Sequence, residues 1–302
     1  MSMPFPQLRV GNPVRHKAIS AFPLFSDSNA GVDYILSEDA ISSSSAVVQE
    51  VGEHGRVPEL MVENKGDSRV LFLEGELLTG AKQDRILNAT ILIPIAARIK
   101  IPVSCVEQGR WAYRSRSFDS SRDYSSSSLR YILKKSVSAF AKTRGVHDSD
   151  QGALWEEVAG QQASLGVDSK TFSMSDSFKD HENEVREHQD KLRYMEAATG
   201  LAVALGSKLV SVDLFDKSST CEKAWDRLLS GIILESLGLK DQGGQPAPQD
   251  VVDFVERLQR ASWVQVPAVG EGKEYRAESE GHQGSALFLE DSLIHFSLLP
   301  AR

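Results

Sequence analysis

The chain has 302 residues, of which 41% are hydrophobic and 25% are charged, and its formal net charge is −8. This composition excludes global disorder, and the length suffices for two ordinary domains or for one large domain with an inserted piece. An acidic surface repels polyphosphate backbones, so we expect no nucleic-acid partner. The richest basic cluster is diluted by serines and aspartates; it consists of Arg110, Arg114, Arg116, Arg122 and Arg130.

The cysteines and the apolar runs predict the compartment. Cys105 and Cys221 are far apart in sequence, and neither lies near a histidine at zinc-ligand spacing. A disulfide framework is excluded, which favours a reducing compartment. The longest apolar stretch, residues 91–101, contains a proline, an arginine and a lysine, so it is too short and too charged to span a bilayer. We therefore expect a cytoplasmic protein with no membrane partner.

Short strands dominate residues 14–115, where prolines and glycines separate runs rich in β-branched residues. The run 59–63 alternates and leads into Asn64-Lys-Gly-Asp67, a good turn sequence. This pattern predicts a hairpin whose second strand is residues 69–78. Two further strands are predicted at 89–96 and 99–107.

Helical spacing of apolar residues begins after residue 117. It predicts helices that start near Ser125 and end at Gly145, and others at 148–165, 180–199, 220–237 and 249–261. Residues 166–178 are predicted as a serine-rich loop, and 201–205 with 208–215 as a β-hairpin.

This order of elements predicts an α+β fold. We expect a β-rich, sandwich-like core formed by N-terminal and C-terminal strands, with a mostly helical middle segment. The predicted parts are residues 1–116, which are β-rich and carry the motif block, residues 117–261, which are mostly helical with a short hairpin, and residues 262–302, whose strands complete the β core.

Two acidic residues stand out in the first part. If residues 70–77 form one strand, Glu74 and Glu76 share a face with Val70 and Phe72. Such paired carboxylates suit general acid–base catalysis or a Mg²⁺ site, so both glutamates are candidate catalytic residues. The alternative is an edge strand with two solvated glutamates. The metal ligands themselves are not predicted.

The turn that follows concentrates cationic and amide groups. Lys82, Gln83 and Arg85 are candidate ligand-binding residues, because backbone N–H groups and cationic side chains can hold an anion. The turn is not a P-loop, since the GxxxxGK[ST] spacing is absent.

A second polar segment ends the β-rich part. Arg110 and Trp111 are candidate ligand-binding residues, because Arg can fork onto a pyrophosphate and Trp can stack on a base. Glu107 is a third candidate catalytic carboxylate. The alternative is an internal Glu107–Arg110 ion pair beside a packed tryptophan. Cys105 is more readily explained as a buried structural cysteine than as a nucleophile.

One block of the sequence carries a family resemblance. It comprises Glu74-Gly-Glu76, Gly80-Ala-Lys-Gln83, Arg85, Asn88, Pro102-Val-Ser-Cys-Val-Glu107 and Gly109-Arg-Trp111. This block resembles a prokaryotic family, the ARG-and-rhodanese-phosphatase-superfamily-associated protein domain, which is named for its association with ADP-ribosylglycohydrolases and rhodanese/phosphatase-superfamily proteins. The resemblance covers most of the chain.

The resemblance implies a function and partners. It implies that members are companions of enzymes that process ADP-ribose or other NAD-derived products. Together with the polar residues, it leads us to expect that the chain processes or binds an ADP-ribose-like or other NAD-derived phosphorylated nucleotide, in a polar pocket built from residues 74–85 and 105–113. It also implies partners of the ADP-ribosylglycohydrolase type. Gene association is not chemistry, so a non-catalytic ligand-sensing module or a structural, assembly protein is the alternative. Whether the chain is an enzyme is left open.

Overall fold

A computed structural model describes residues 5–27, 31–52, 55–239 and 244–301. Its helices are α1 (Ser37–Ser42), α2 (Ser127–Arg144), α3 (Gln151–Leu165), α4 (Met174–Asp180), α5 (Glu182–Lys191), α6 (Ser218–Leu237) and α7 (Pro248–Gln259). Its strands are β1 (Leu8–Val10), β2 (Val14–His16), β3 (Ile19–Ser26), β4 (Tyr34–Leu36), β5 (Ala46–Glu50), β6 (Glu59–Asn64), β7 (Arg69–Phe72), β8 (Glu76–Gly80), β9 (Arg85–Leu87), β10 (Ile91–Ile93), β11 (Arg98–Cys105), β12 (Phe118–Tyr124), β13 (Gly200–Leu205), β14 (Lys208–Phe215), β15 (Trp263–Val266), β16 (Lys273–Ser279), β17 (His282–Leu289) and β18 (Ser292–Leu299).

A nine-stranded antiparallel sheet joins the two ends of the chain. Its strand order is β1-β3-β13-β14-β18-β17-β16-β15, with β2 paired to β3. N-terminal and C-terminal strands therefore belong to one sheet, and the predicted α+β, β-rich fold is confirmed. The hairpin of β13 and β14 lies at the centre of this sheet, between β3 and β18.

A closed barrel forms the second β unit, with strand order β11-β6-β5-β12-β8-β9. Its interior is filled by apolar side chains such as Val48, Val62 and Leu87. Strands β5, β8 and β11 end, and strands β6, β9 and β12 begin, at the same end of the barrel. The connections 51–58, 81–84 and 106–117 therefore leave from this end, which we call the barrel mouth.

The predicted hairpin between residues 59–63 and 69–78 is wrong. Strand β6 pairs with β5 and β11 inside the barrel, whereas β7 pairs with β4 and β10 in a separate three-stranded sheet. The local turn signal was overridden because each strand pairs on both sides with strands from other parts of the chain.

A turn also interrupts the predicted strand that carries the acidic pair. Gly75 adopts φ +94°, and the N–H of Glu76 donates to the carbonyl of Leu73 over 3.0 Å. Only glycine adopts this conformation readily, so the chain reverses here. Glu74 lies in the turn and Glu76 opens β8, and the prediction that they share one strand face is wrong.

The helical part follows its capping signals more closely. The hydroxyl of Ser126 accepts from the N–H of Leu129 at the start of α2, and Gly145 ends the helix in the left-handed conformation. Helix α4 lies partly in the predicted loop because Ser173 caps it. Among the helices of the described ranges, none combines the length and the apolar character that crossing a membrane requires.

Helix α6 packs directly on the end of β12. A methyl group added at Gly231 would lie 2.4 Å from the carbonyl oxygens of Tyr124 and Ser125. The hydroxyl of Ser230 accepts from the N–H of Tyr124 over 2.8 Å. This glycine therefore sets how closely the helix approaches the strand.

We expect Gly231→Ala to lower the free energy of unfolding by about 1–3 kcal/mol or more, because backbone atoms must move to admit the methyl group. Gly160→Ala in α3 is the matched control, since nothing lies within 4 Å of its added methyl group. This control should raise stability by up to about 1 kcal/mol. Urea denaturation of both variants measures the difference, and equal midpoints would contradict the packing described.

Candidate functional site at the barrel mouth

Two of the connections at the barrel mouth lie side by side. The N–H of Arg114 donates to the carbonyl of Ala81 over 2.8 Å, and that of Ala112 donates to the carbonyl of Lys82 over 3.3 Å. The N–H of Val106 donates to the carbonyl of Asp84 over 3.2 Å. The turn 81–84 and the connection 106–117 therefore form one continuous surface.

Arg110 holds these two connections together. Its Nε donates to both oxygens of Glu107 at 2.9 and 3.0 Å, and its Nη1 donates to the carbonyls of Ala81 and Ala112 at 2.7 and 2.8 Å. Its Nη2 donates to Glu107 at 2.7 Å and to Asp84 at 3.3 Å. All three guanidinium nitrogens are therefore engaged within the protein, as the internal ion-pair interpretation expected.

Glu107 is held as a carboxylate in this arrangement. Burial alone would raise the pKa of its carboxyl group, but hydrogen bonds from Arg110 and from the N–H of Asp84 outweigh burial and hold that pKa below its ordinary value. A group held in this way accepts hydrogen bonds at neutral pH and does not carry a proton to donate.

Asp84 extends the same network to the helices. One of its oxygens accepts from the N–H of Gly80 over 3.1 Å. The other accepts from the hydroxyls of Ser173 and Ser175, at 3.0 and 2.9 Å. The turn is thereby fixed against the start of α4.

The remaining predicted binding residues lie toward the barrel. The side-chain amide of Gln83 donates to the carbonyl of Glu107, and its oxygen accepts from Nη1 of Arg85 over 2.9 Å. The indole ring of Trp111 lies 5.5 Å from Nζ of Lys82 and 5.5 Å from Cζ of Arg85. All of the predicted site residues except Glu74 and Glu76 therefore meet at the barrel mouth.

Glu74 lies in a different, fully buried cluster. It forms ion pairs with Lys134 and Arg276, whose Nη1 is 2.6 Å away. Burial alone would raise the pKa of this carboxyl group, but the charges of Arg276 and Lys134 hold it below its ordinary value. This cluster joins α2 and β16 to the turn before β8.

Glu76 is also buried and internally paired. It accepts from the hydroxyls of Ser37 and Ser120, and Nη2 of Arg227 lies 3.3 Å away. The catalytic assignment of Glu74, Glu76 and Glu107 stays a prediction. No group of three His, Cys, Asp or Glu side chains in the described part of the chain is placed to hold a metal ion.

Cys105 ends β11 next to Arg85 and is 1% exposed. Burial raises the pKa of its thiol above the ordinary value, although the charge of Arg85 opposes this. The geometry is that of a structural cysteine.

A cleft of about 600 Å³ opens on the outer side of the turn 81–84. One wall is the surface of β8 and β12, and the other is α4 and α5. Four cationic side chains and four acidic ones line it: Arg114, Arg122, Lys179 and Arg186, and Asp84, Asp119, Asp123 and Glu182.

The acids of this cleft are not equivalent. Asp84 is engaged with Arg110 and two serines, and Glu182 pairs with Arg186 over 2.6 Å. Burial raises the pKa of Asp123 to about 6, although the charge of Arg227 opposes this. The carboxyl group of Asp123 therefore keeps its proton to a higher pH than an exposed aspartate does.

The sequence did not predict the cleft as a whole. The basic cluster of the sequence supplies Arg114 and Arg122, but the opposite wall comes from α4 and α5, more than fifty residues later in the chain. No sequence signal marked Asp123, because its pKa depends on burial that only the folded chain creates.

A family model described as the ARG and Rhodanese-Phosphatase-superfamily-associated Protein domain matches residues 7–299. The chain belongs to this family. The match includes the barrel, the large sheet and the helices that border the cleft, so it agrees with the resemblance carried by the central block. No curated protein and no solved structure is significantly similar to the chain.

We expect Arg110→Ala to lower the free energy of unfolding by about 3–5 kcal/mol, because it leaves the buried carboxylates of Glu107 and Asp84 without their partner. Arg116→Ala, an exposed position of the same connection, should change it by less than about 0.5 kcal/mol. Chemical denaturation of the two variants measures both free energies of unfolding. Equal, small losses would show that the Arg110 network does not hold the connections together.

Proposed function

We propose that the chain binds a phosphorylated nucleotide of the ADP-ribose type in the cleft between β8, β12 and α4–α5. The observation that carries this proposal is the set of cationic side chains around one cavity of about 600 Å³, which is within the usual size range of small-molecule sites. Arg114 and Arg122 approach from the barrel, and Lys179 and Arg186 approach from the helices.

The charges of the cleft suit a ligand with separate anionic and hydroxyl groups. Arginine donates to phosphate oxygens in a forked geometry, and carboxylates accept from ribose hydroxyls. Arg122 is exposed in this cleft, so its guanidinium is accessible to an incoming phosphate. The family's association with ADP-ribosylglycohydrolases favours ADP-ribose among ligands of this kind.

Processing of the bound nucleotide is a second candidate function, and Asp123 is the residue that favours it. A carboxyl group with a pKa of about 6 can both accept and donate a proton near neutral pH. Product analysis after incubation with ADP-ribose distinguishes the two functions, since a sensing module returns the ligand unchanged.

ADP-ribose should stabilise the protein in thermal-shift and calorimetric titrations, and Arg186→Ala should weaken its binding by roughly tenfold through loss of one charged hydrogen bond. Arg260→Ala is a closely matched control. Arg186 pairs with Glu182, and Arg260 pairs with Glu256, in the same i,i+4 geometry at 2.6 and 2.7 Å. Arg260 lies at the C-terminal end of α7, outside the cleft. Equal effects of both variants, or no binding to the wild type, would reject the proposal.

The affinity for ADP-ribose should rise as the pH falls from about 8 to about 5, because an ionised Asp123 repels the pyrophosphate and a protonated one does not. The neighbouring charged groups are Arg122, Arg227 and Glu182, which Asp123→Asn leaves in place. This variant should bind at high pH about as tightly as the wild type binds at low pH. Calorimetry across this range measures the profile, and an unchanged pH dependence in the variant would contradict the role of Asp123.

A further inference from the structure

The interior of the barrel ends in a polar layer at its mouth. Val48, Leu87 and Val103 belong to the barrel core. Since alternate residues of a strand share a face, the next inward positions on β5, β9 and β11 are Glu50, Arg85 and Cys105. Barrel mouths are common places for small-ligand sites.

Two charged side chains in this layer have polar atoms without hydrogen-bond partners in the described structure. Arg85 is 0% exposed; its Nη1 donates to Gln83, whereas its Nε and Nη2 have no hydrogen-bond acceptor in the described structure. Glu50 is 8% exposed, and neither of its carboxylate oxygens accepts a hydrogen bond from the described residues. Nη2 of Arg85 and Oε1 of Glu50 are 3.8 Å apart, beyond hydrogen-bond distance. Buried polar groups left unsatisfied destabilise a fold, so this pair points to a ligand.

We propose that the Glu50–Arg85 pair is a binding site for a small neutral ligand that carries a primary carboxamide. The carbonyl oxygen of such a group accepts from Arg85, and its NH₂ group donates to Glu50. The separation of 3.8 Å is too long for a direct hydrogen bond but allows one planar group to contact both partners side by side.

The charges of the pair favour a neutral ligand over an ion. Arg85 and Glu50 already neutralise each other, so an anion bound to Arg85 meets the carboxylate of Glu50 at short range, and a cation bound to Glu50 meets the guanidinium. A carboxamide satisfies both without adding charge to a buried site.

The ligand reaches the Glu50–Arg85 pair by passing the side chain of Trp111. Its ring lies 5.5 Å from Cζ of Arg85 and is 47% exposed, so the indole covers the fully buried guanidinium on the outer side. A ligand reaches Arg85 when this ring turns aside, and an aromatic ligand can then stack against it. This site shares no residue with the lining of the cleft, so it stands independently of the nucleotide proposal.

The test uses three molecules of one shape, titrated into the full chain. Benzamide presents an acceptor and a donor, benzoate two acceptors, and benzamidine only donors. We expect saturable binding of benzamide, with a change in tryptophan emission that Trp111→Phe removes. Benzoate and benzamidine should bind at least about tenfold more weakly, since each leaves one member of the pair unsatisfied.

The variant Glu50→Gln should weaken benzamide binding by about tenfold, whereas Glu59→Gln should leave it within about twofold. Glu59 lies at the same barrel end, is partly exposed and pairs with Lys100 on the outside. If Glu50→Gln does not fold, the relative affinities of the three molecules for the wild-type chain test the proposal on their own. No saturable binding of benzamide, or equal or tighter binding of benzoate or benzamidine, overturns the proposal.

Discussion

The guanidinium of Arg110, paired with Glu107 and Asp84, makes the contacts on which both candidate sites depend. Its bonds to the carbonyl of Ala81 and to the carboxylate of Asp84 join the connection 106–117 to the turn 81–84, and Asp84 in turn fixes the turn against α4. The outer side of this assembly is a wall of the cleft, and the inner side closes the barrel mouth. Breaking a buried pair of this kind leaves an uncompensated charge, so the geometry of both sites is coupled to one interaction.

The buried ion pairs outside the barrel mouth affect how the β units pack and do not shape a candidate site. Two sets of ion pairs lie between the barrel and the large sheet and are almost fully buried. One joins Glu74 to Lys134 and Arg276, and the other joins Arg130 to Asp213. Ion pairs of this kind add little net stability compared with apolar packing. They do require specific partners, however, and we infer that they fix how the two β units pack on each other.

The sequence allowed the element types and the fold class to be predicted because they depend on local signals. Ser126 and Gly145 bound α2 through capping geometry, and alternation identified β6. The pairing of strands was less accessible. Asn64-Lys-Gly-Asp67 is a strong turn sequence, yet β6 and β7 belong to different sheets because pairing over long distances in the chain outweighs a local preference.

In the candidate site, too, contacts between sequence neighbours were predictable and contacts between distant residues were not. Neighbours in sequence, such as Glu107 with Arg110 and Gln83 with Arg85, were predicted together and lie together. Glu74 and Glu76 were separated by the turn at Gly75, whose left-handed backbone a strand pattern does not reveal. No sequence signal marked Glu50, because it faces Arg85 only after the barrel closes.

Hydrogen–deuterium exchange of the full chain with and without ADP-ribose tests the central claim most directly. Binding in the cleft predicts slower exchange in peptides that cover residues 114–124 and 174–189, with no change in β15 and β16 at the far edge of the large sheet. Unchanged exchange in the cleft peptides at saturating ADP-ribose, or slowing confined to other regions, would contradict the account.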